Sequence, residues 1–345
     1  MHKNESPARA LRGSGPTPRG GGRMVALLAL AAATISMAAG APARADYPER
    51  PIRVIVPYVA GGAADITARV VAQKMTMDLG VALVVENKPG ANGMIGTDMV
   101  AKAAPDGYTL LLDASGPLVV NPTLYKSTPY DPLKDLAPIT QLTSYQYVLV
   151  VPQKSPIHSV DDLVREARAH PGQVTYGSAG IGSGGHLAGE LLGVMTGAKL
   201  THAPYKGNAQ ALTDVLSGQL TFTFDTVVTS VPHIRAGRLR GYAVSGPKRA
   251  GVLPDLPTME ELGYKDFNVT QFQGLLAPAG TDPRIIARLH DAAVKAVRQP
   301  DVVRKLETEG GNDIVAGTPE AFAQTLRDDL ARFRTLIRQA GVTAE

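Results

Sequence analysis

The chain has 345 residues, no cysteine and a formal net charge of +4. Without cysteine, a disulfide framework, a thiolate metal site and a thiol nucleophile are excluded. The positive charge belongs to the first 45 residues: removing them takes away six cations and one acid and changes the net charge to −1. Residues 46–345 therefore give no electrostatic reason to expect nucleic acid or an anionic membrane surface as a partner.

Residues 1–45 have the pattern of a secretory signal peptide. A polar, cationic start is followed by an apolar run at residues 24–37, and the segment ends in Ala43-Arg44-Ala45. A membrane anchor is the alternative, but this run is shorter than the roughly 20 residues that span a bilayer. No Arg-Arg pair occurs in this segment, which favours the general export route. We expect cleavage after residue 45 and a soluble protein in the periplasm.

From residue 52 onward, short apolar runs alternate with helical patterns. Predicted strands at residues 52–58, 81–87 and 108–114 are separated by helices. A second series of the same kind occupies residues 145–246, in which Ser159, with Asp162 three residues further on, predicts the start of a helix. Such alternation predicts βαβ units and parallel sheets that are covered on both faces.

The last predicted helix begins after Thr318, with Pro319 at its first position. Its apolar residues recur every three to four positions, which predicts a face that packs on the first lobe. The fold class is therefore α/β with mostly parallel sheets. The predicted organisation is a signal peptide at 1–45, lobe 1 at 46–145 plus 268–345, and lobe 2 at 146–267, with two crossings between the lobes.

The segment YGSAGIGSGGHLAGELL, residues 176–192, carries the spacing G-x-G-x-x-G at Gly180, Gly182 and Gly185. A dinucleotide-binding turn also needs an acid about 20 residues further on. That position falls near Tyr205 and Lys206, and no acid follows until Asp214. Lys206 could pair with a 2′-phosphate, but an exported chain would have to find its nucleotide outside the cytoplasm. We predict instead a glycine turn that directs N–H groups at a smaller anion.

Side chains beside this turn add polar groups. Ser178 and Ser183 can donate hydroxyls, and His186 lies in the first helical turn, where the helix dipole favours neutral imidazole. His186 is either a neutral donor to a ligand or a structural histidine.

A second glycine turn follows the strand at residues 52–58. Gly61 and Gly62 allow the backbone to bend and approach a ligand, and a helix opens after them. Asp65 either caps this helix or fixes the loop and meets a ligand ammonium or hydroxyl. Two such turns facing each other across a cleft would suit a small ligand with one or two carboxylates.

Catalytic and metal motifs are missing from the sequence. Neither Ser178 nor Ser183 has the glycine two residues earlier that a nucleophile elbow needs. The histidines show no zinc-binding spacing. We predict no catalytic residue, no metal and no cofactor.

Segments in the same order along nearly all of residues 46–345 resemble one family. They include YPERPIRVIVPYVAGGAADITARVVA, VVENKPGANGMIGTDMVAKAAPDGYTLLL, HAPYKGNAQALTDVLSGQL and GLLAPAGT. The chain resembles the Bug family of extracytoplasmic solute receptors, the substrate-binding components of tripartite tricarboxylate transporters. The resemblance implies a two-lobed periplasmic-binding-protein fold of type II that closes on an amino acid, a di- or tricarboxylate or an aromatic acid. It also implies a transient complex with membrane permease subunits, and we expect a monomer.

The family's two pincer loops match residues 61–65 and 178–186, and its pattern also points to Ser115 and Asp225. For Ser115 and Asp225, capping of a strand edge is the alternative. The predicted ligand-binding set is Tyr58, Gly61, Gly62, Ala63, Ala64, Asp65, Ser115, Ser178, Gly182, Ser183, Gly184, His186 and Asp225.

Departures from the family pattern concern the ligand more than the fold. Ala63 and Ala64 replace the usual hydroxyl residues, so the backbone must hold the ligand there. Phe272-Gln273 replaces the frequent Trp-Phe, and Thr226 replaces the frequent Asn. Two alternative functions stay open: a ligand sensor for a signalling system, and a hydrolase that uses His186 and Asp225.

Overall fold

The structure is a computed structural model that describes residue 15, residues 47–205 and residues 207–343. Residues 47–345 form one unit by their internal contacts. The predicted signal peptide at residues 1–45 lies outside the described residues, apart from Gly15.

The first part of the chain alternates strands and helices as predicted. Its elements are β1 (Ile52–Val56), α1 (Ala63–Leu79), β2 (Leu83–Asn87), α2 (Met94–Ala101), β3 (Thr109–Ala114), a π-helical turn (Gly116–Val120), α3 (Asn121–Leu124) and β4 (Leu136–Pro152). β1 pairs in parallel with both β2 and β3.

The second part repeats this arrangement. Its elements are α4 (Val160–Ala169), β5 (Thr175–Ser178), α5 (Gly184–Thr196), β6 (Thr201–Pro204), α6 (Asn208–Ser217), β7 (Phe222–Thr226), α7 (Val227–Arg235) and β8 (Leu239–Val244). β5 pairs in parallel with β6 and β7. As predicted, Ser159 caps α4: its hydroxyl accepts the N–H of Asp162 at 3.0 Å.

The chain then returns to the first sheet. The last elements are β9 (Thr270–Pro278), α8 (Pro283–Val297), α9 (Pro300–Val303), a π-helical turn (Arg304–Thr308), β10 (Asp313–Ile314) and α10 (Pro319–Ala340). Thr318 caps α10, and its side chain accepts the N–H of Ala321 at 3.2 Å. The predicted start of this helix is confirmed.

Strand β4 runs through both halves of the sheet. β4 pairs with β9 up to Gln146 and with β7 from Tyr147 onward. All antiparallel pairs among the described residues involve β4 or β9, whereas the βαβ units are parallel as predicted. More strand pairs are antiparallel than the sequence predicted, because β4 and β9 pair with strands of the neighbouring βαβ units. The change of partner lies beside the predicted crossing at residue 145, and the lobe boundaries themselves remain a prediction.

Helix α10 contacts both halves of the molecule. Its predicted apolar stripe faces inward, with Phe322, Leu326, Phe333 and Ile337 buried and Leu330 partly buried. The helix packs on α3 and β4, and it also packs on α5 of the second half. The apolar periodicity predicted this buried face, but it did not reveal the second contact surface.

Candidate functional site

The first glycine loop leads from β1 into α1. Gly61 has φ +82, a conformation that favours glycine, and Gly62 is the extended N-cap residue with φ −78 and ψ 170. No side chain caps α1. The N–H groups of its first turn, from Ala63 and Ala64 onward, therefore face the loop without a side-chain acceptor. Together with the positive end of the helix dipole, these N–H groups favour negative charge at this position.

Asp65 holds this loop in place. Its carboxylate accepts the N–H of Gly61 at 2.9 Å, the Arg69 guanidinium at 3.0 Å and the amide of Asn87 at 3.0 Å. Burial raises the pKa of Asp65, but these hydrogen bonds outweigh it and keep the pKa below its usual value. Of the two roles that the sequence left open, the geometry supports fixing the loop.

The second glycine loop uses its polar groups differently. The Ser183 hydroxyl caps α5 and donates to the carbonyl of Gly180 at 2.7 Å. Ser178 also donates to that carbonyl, at 3.0 Å, and lies 2.7 Å from Nε2 of His202. Tyr147 packs against Gly184: a Cβ at Gly184 would lie 2.3 Å from the Tyr147 hydroxyl oxygen. Several donors of this loop are therefore already engaged, whereas the N–H groups in the first turn of α1 have no side-chain acceptor.

His186 is buried inside this second loop. Its Nδ1 accepts the N–H of Gly182 at 3.0 Å, so the proton of the neutral ring lies on Nε2, 3.7 Å from the Glu190 carboxylate. The ring stacks on His202 with a centroid distance of 4.1 Å. Burial, followed by the neighbouring His202, lowers the pKa of His186 to about 3. The imidazole is neutral, as predicted, but mainly because it is buried. Its hydrogen bond to the Gly182 N–H helps to fix the loop.

Gly182 lies against the first half of the chain. A Cβ at this position would be 2.4 Å from Cδ2 of Leu124 and 3.4 Å from Cγ1 of Val120. The backbone φ is +79, which also favours glycine. The second loop therefore contacts the π-helical turn and α3, where the two halves meet.

Ser115 and Asp225 have internal partners. The Ser115 hydroxyl accepts the N–H of Phe272 at 2.9 Å and so links the end of β3 to β9. The Asp225 carboxylate accepts the hydroxyls of Thr229 at 2.5 Å and Ser230 at 2.7 Å. These contacts account for both side chains structurally, and a ligand-binding role for either remains a prediction.

Tyr58, which the sequence predicted as a ligand-binding residue, belongs to a row with Tyr145 and Tyr147, two tyrosines that the sequence analysis missed. Tyr58 and Tyr145 lie near Asp113, which is fully buried. Tyr145 and Tyr147 follow each other on β4, with ring centroids 6.0 Å apart. The row therefore leads from Tyr58 in the first loop to Gly184 in the second. The Y-Q-Y spacing on a predicted crossing strand was the available signal.

The hydrolase alternative lacks a catalytic pair. His186 and Asp225 hydrogen-bond to separate groups. Within residues 47–205 and 207–343, no cluster of three or more potential ligands could hold a metal ion. Two open surface grooves of about 520 and 560 Å³ lie between α3 and α10 and contain none of the predicted site residues. The assignment of the site thus rests on its hydrogen-bonding groups and not on these grooves.

Residues 67–342 match the family model described as the tripartite tricarboxylate transporter family receptor. The chain belongs to this family. Its members are solute-binding receptors that bind small carboxylates and work with transporter permeases. The receptor is 38% identical over 321 residues to Protein BugT of Bordetella pertussis, an alignment that covers 92% of this chain and 98% of BugT.

Solved structures share the receptor's fold. The periplasmic binding protein BugD is 34% identical, with a TM-score of 0.78, 87% coverage of this chain and 100% of BugD. A protein of R. palustris solved with adipate is 32% identical, with a TM-score of 0.80, 86% coverage of this chain and 99% of that protein. The predicted two-lobed periplasmic-binding-protein fold is confirmed. Among the described residues, no helix has the length and apolarity needed to cross a membrane.

Proposed function

We propose that this receptor binds a small carboxylate in the periplasm and delivers it to the permease subunits of a tripartite tricarboxylate transporter. The uncapped first turn of α1 carries the proposal: Gly62 has no capping side chain, and Asp65 fixes the loop before the helix. A ligand carboxylate there would accept the N–H groups that the protein leaves without a side-chain partner. The adipate in the R. palustris relative is a carboxylate of the expected kind.

The remaining parts of the proposal concern processing and assembly. Residues 1–45 would direct export and be removed, and residues 46–345 would act as a monomeric receptor without catalytic activity. Closure of the two lobes would sequester the ligand and shift an open–closed equilibrium that exists without it.

Ala63→Pro tests the backbone donors directly. Ala63 is the first helical residue, where proline is tolerated, and the extended Gly62 before it suits a following proline. The change removes one N–H and leaves the helix intact. Ala63→Ser is the matched control, because it keeps the N–H.

Binding would be measured by calorimetry and thermal shift with a panel of mono- and dicarboxylates, on residues 46–345 after removal of any co-purified ligand. We expect Ala63→Pro to weaken binding by about 10-fold or more, as for loss of a hydrogen bond to a charged group, with an unchanged ligand-free melting temperature. Ala63→Ser should bind like the wild type. If the proline variant binds as tightly as the wild type, the ligand carboxylate does not bind at the N–H of residue 63. If no acid in the panel binds to the wild type, the receptor function is refuted.

A further inference from the structure

Gln271 lies on β9 where the chain crosses between the two halves, and it is buried. Its Oε1 accepts two hydroxyls, from Tyr145 and from Tyr147, each at 2.8 Å. Both tyrosines belong to β4, the other crossing strand. Gln271 is therefore held by the row of tyrosines that connects the two glycine loops.

The direction of these hydrogen bonds orients the carboxamide. Both tyrosine hydroxyls donate to the same atom, Oε1, and an amide oxygen can only accept. Gln271 must then accept with Oε1, which leaves both N–H donors of Nε2 for another partner. Among the described residues Nε2 has no hydrogen-bond partner.

The buried charged groups of the receptor favour an anionic ligand over a cationic one. The described buried carboxyls are Asp65, Asp113 and Asp225, and each already accepts at least two hydrogen bonds. None of the described buried side chains is Lys or Arg. A ligand therefore meets neutral donors and two helix N-termini, those of α1 and α5, while the carboxylates that would attract an ammonium group are engaged.

We propose that Gln271 is a ligand-binding residue: it donates Nε2–H to a second carboxylate, at the end of the ligand distal to α1, and the receptor selects dicarboxylates that lack an ammonium group. This inference rests on the proposed function and narrows it. The first carboxylate accepts the N–H groups of α1. The second lies between Gln271 and the positive end of α5.

Three four-carbon acids test the ligand class. Succinate has both carboxylates, butyrate lacks the second one, and aspartate adds an ammonium group; glutarate and adipate extend the chain with their matching monoacids. We expect the best diacid to bind at least 10-fold more tightly than its monoacid and than aspartate. A preference for aspartate, or equal affinity for the diacid and its monoacid, would overturn the proposal and leave the receptor function standing.

Gln271→Leu tests the residue. It should lower the affinity for the diacid by about 10- to 100-fold, the range for one hydrogen bond to a charged group, and leave the affinity for the monoacid unchanged. A merely structural role of Gln271 would change both affinities together. Gln271→Glu, which keeps an acceptor for the tyrosines but has no N–H, is the second variant and should lose the preference for the diacid in the same way.

Gln146→Leu is the matched control. Gln146 is also buried and lies on the crossing strand β4, but its amide is satisfied at both ends, by the Gly246 N–H at 2.8 Å and the Lys248 carbonyl at 3.2 Å. Gln146→Leu should lower the stability of the receptor and leave the ratio of the diacid affinity to the monoacid affinity unchanged. If Gln271→Leu and Gln271→Glu keep that ratio too, Gln271 does not bind the ligand. If the wild type binds no carboxylate, the receptor function fails and this assignment with it.

Discussion

Asp113 makes the stability of the receptor depend on pH in a predictable direction. Its buried carboxyl accepts the Thr97 hydroxyl at 2.8 Å and the Ala114 N–H at 2.7 Å. Burial outweighs these contacts and raises the pKa of Asp113 to about 7. Since an unfolded aspartate has a pKa of about 3.9, its contribution to stability is complete below about pH 4. It is lost as the pH rises to about 7.

Asp113→Asn removes this titration. For pKa values of about 3.9 unfolded and about 7 folded, the aspartate lowers the free energy of unfolding by about 2.5 kcal/mol between pH 5 and pH 8. Asparagine has no such loss. The difference in the free energy of unfolding between variant and wild type should therefore shift by about 2.5 kcal/mol in favour of the variant over this range.

Urea unfolding of the ligand-free protein at pH 5, 6, 7 and 8 measures this difference. Other groups with shifted pKa values, such as His186 and Asp225, titrate in both proteins and cancel. Asp78→Asn is the control that should show no trend between pH 5 and pH 8: Lys295 and Arg288 lower the pKa of Asp78, so its contribution to stability is lost only on acidification below about pH 4. A difference for Asp113→Asn that stays constant from pH 5 to pH 8 would refute the reasoning.

Three further substitutions test the loops and the last helix. Asp65→Ala frees three donors, among them the Gly61 N–H. Because the loop then loses its fixed shape, the carboxylate affinity measured by calorimetry should fall at least 10-fold. Unchanged affinity would show that Asp65 does not hold the loop in its binding conformation. Gly182→Ala places a methyl group 2.4 Å from Leu124 at a φ of +79. It should cost about 1–2 kcal/mol in urea unfolding and weaken binding, since the contact between the two halves is displaced; a fully stable, tightly binding variant would contradict this contact. Phe322→Ala removes a buried ring that packs edge-on against Phe272, with the two ring centroids 5.3 Å apart. The free energy of unfolding should fall by about 3–5 kcal/mol. A loss below about 1 kcal/mol would mean that α10 is not part of the core.

Local patterns in the sequence predicted those parts of the receptor that depend on neighbouring residues. Alternating apolar runs predicted the βαβ units, and Ser159 and Thr318 predicted where two helices begin. The glycines of the two loops predicted turns before α1 and α5. Each of these features is decided within a few residues by backbone sterics, capping and hydrophobic periodicity.

The difference between the two loops was not predictable in this way. Both contain glycines before a helix, yet only the second has a capping serine and a histidine that accepts a loop N–H. That contrast follows partly from Ala63 and Ala64, which carry no side-chain acceptor. The packing of Tyr147 on Gly184 depends on a residue of β4, which is far from the loop in the chain.

The sequence by itself thus determined the family, the alternating architecture and the two glycine turns before α1 and α5. The tertiary structure decided which N–H groups are engaged, why Asp113 has a raised pKa, and that Gln271 joins the tyrosines of β4. The hydroxyls that orient Gln271 come from residues 124 and 126 positions away in the chain. Contacts of this separation form only when β4 and β9 pair, and neither composition nor periodicity specifies which side chains then meet.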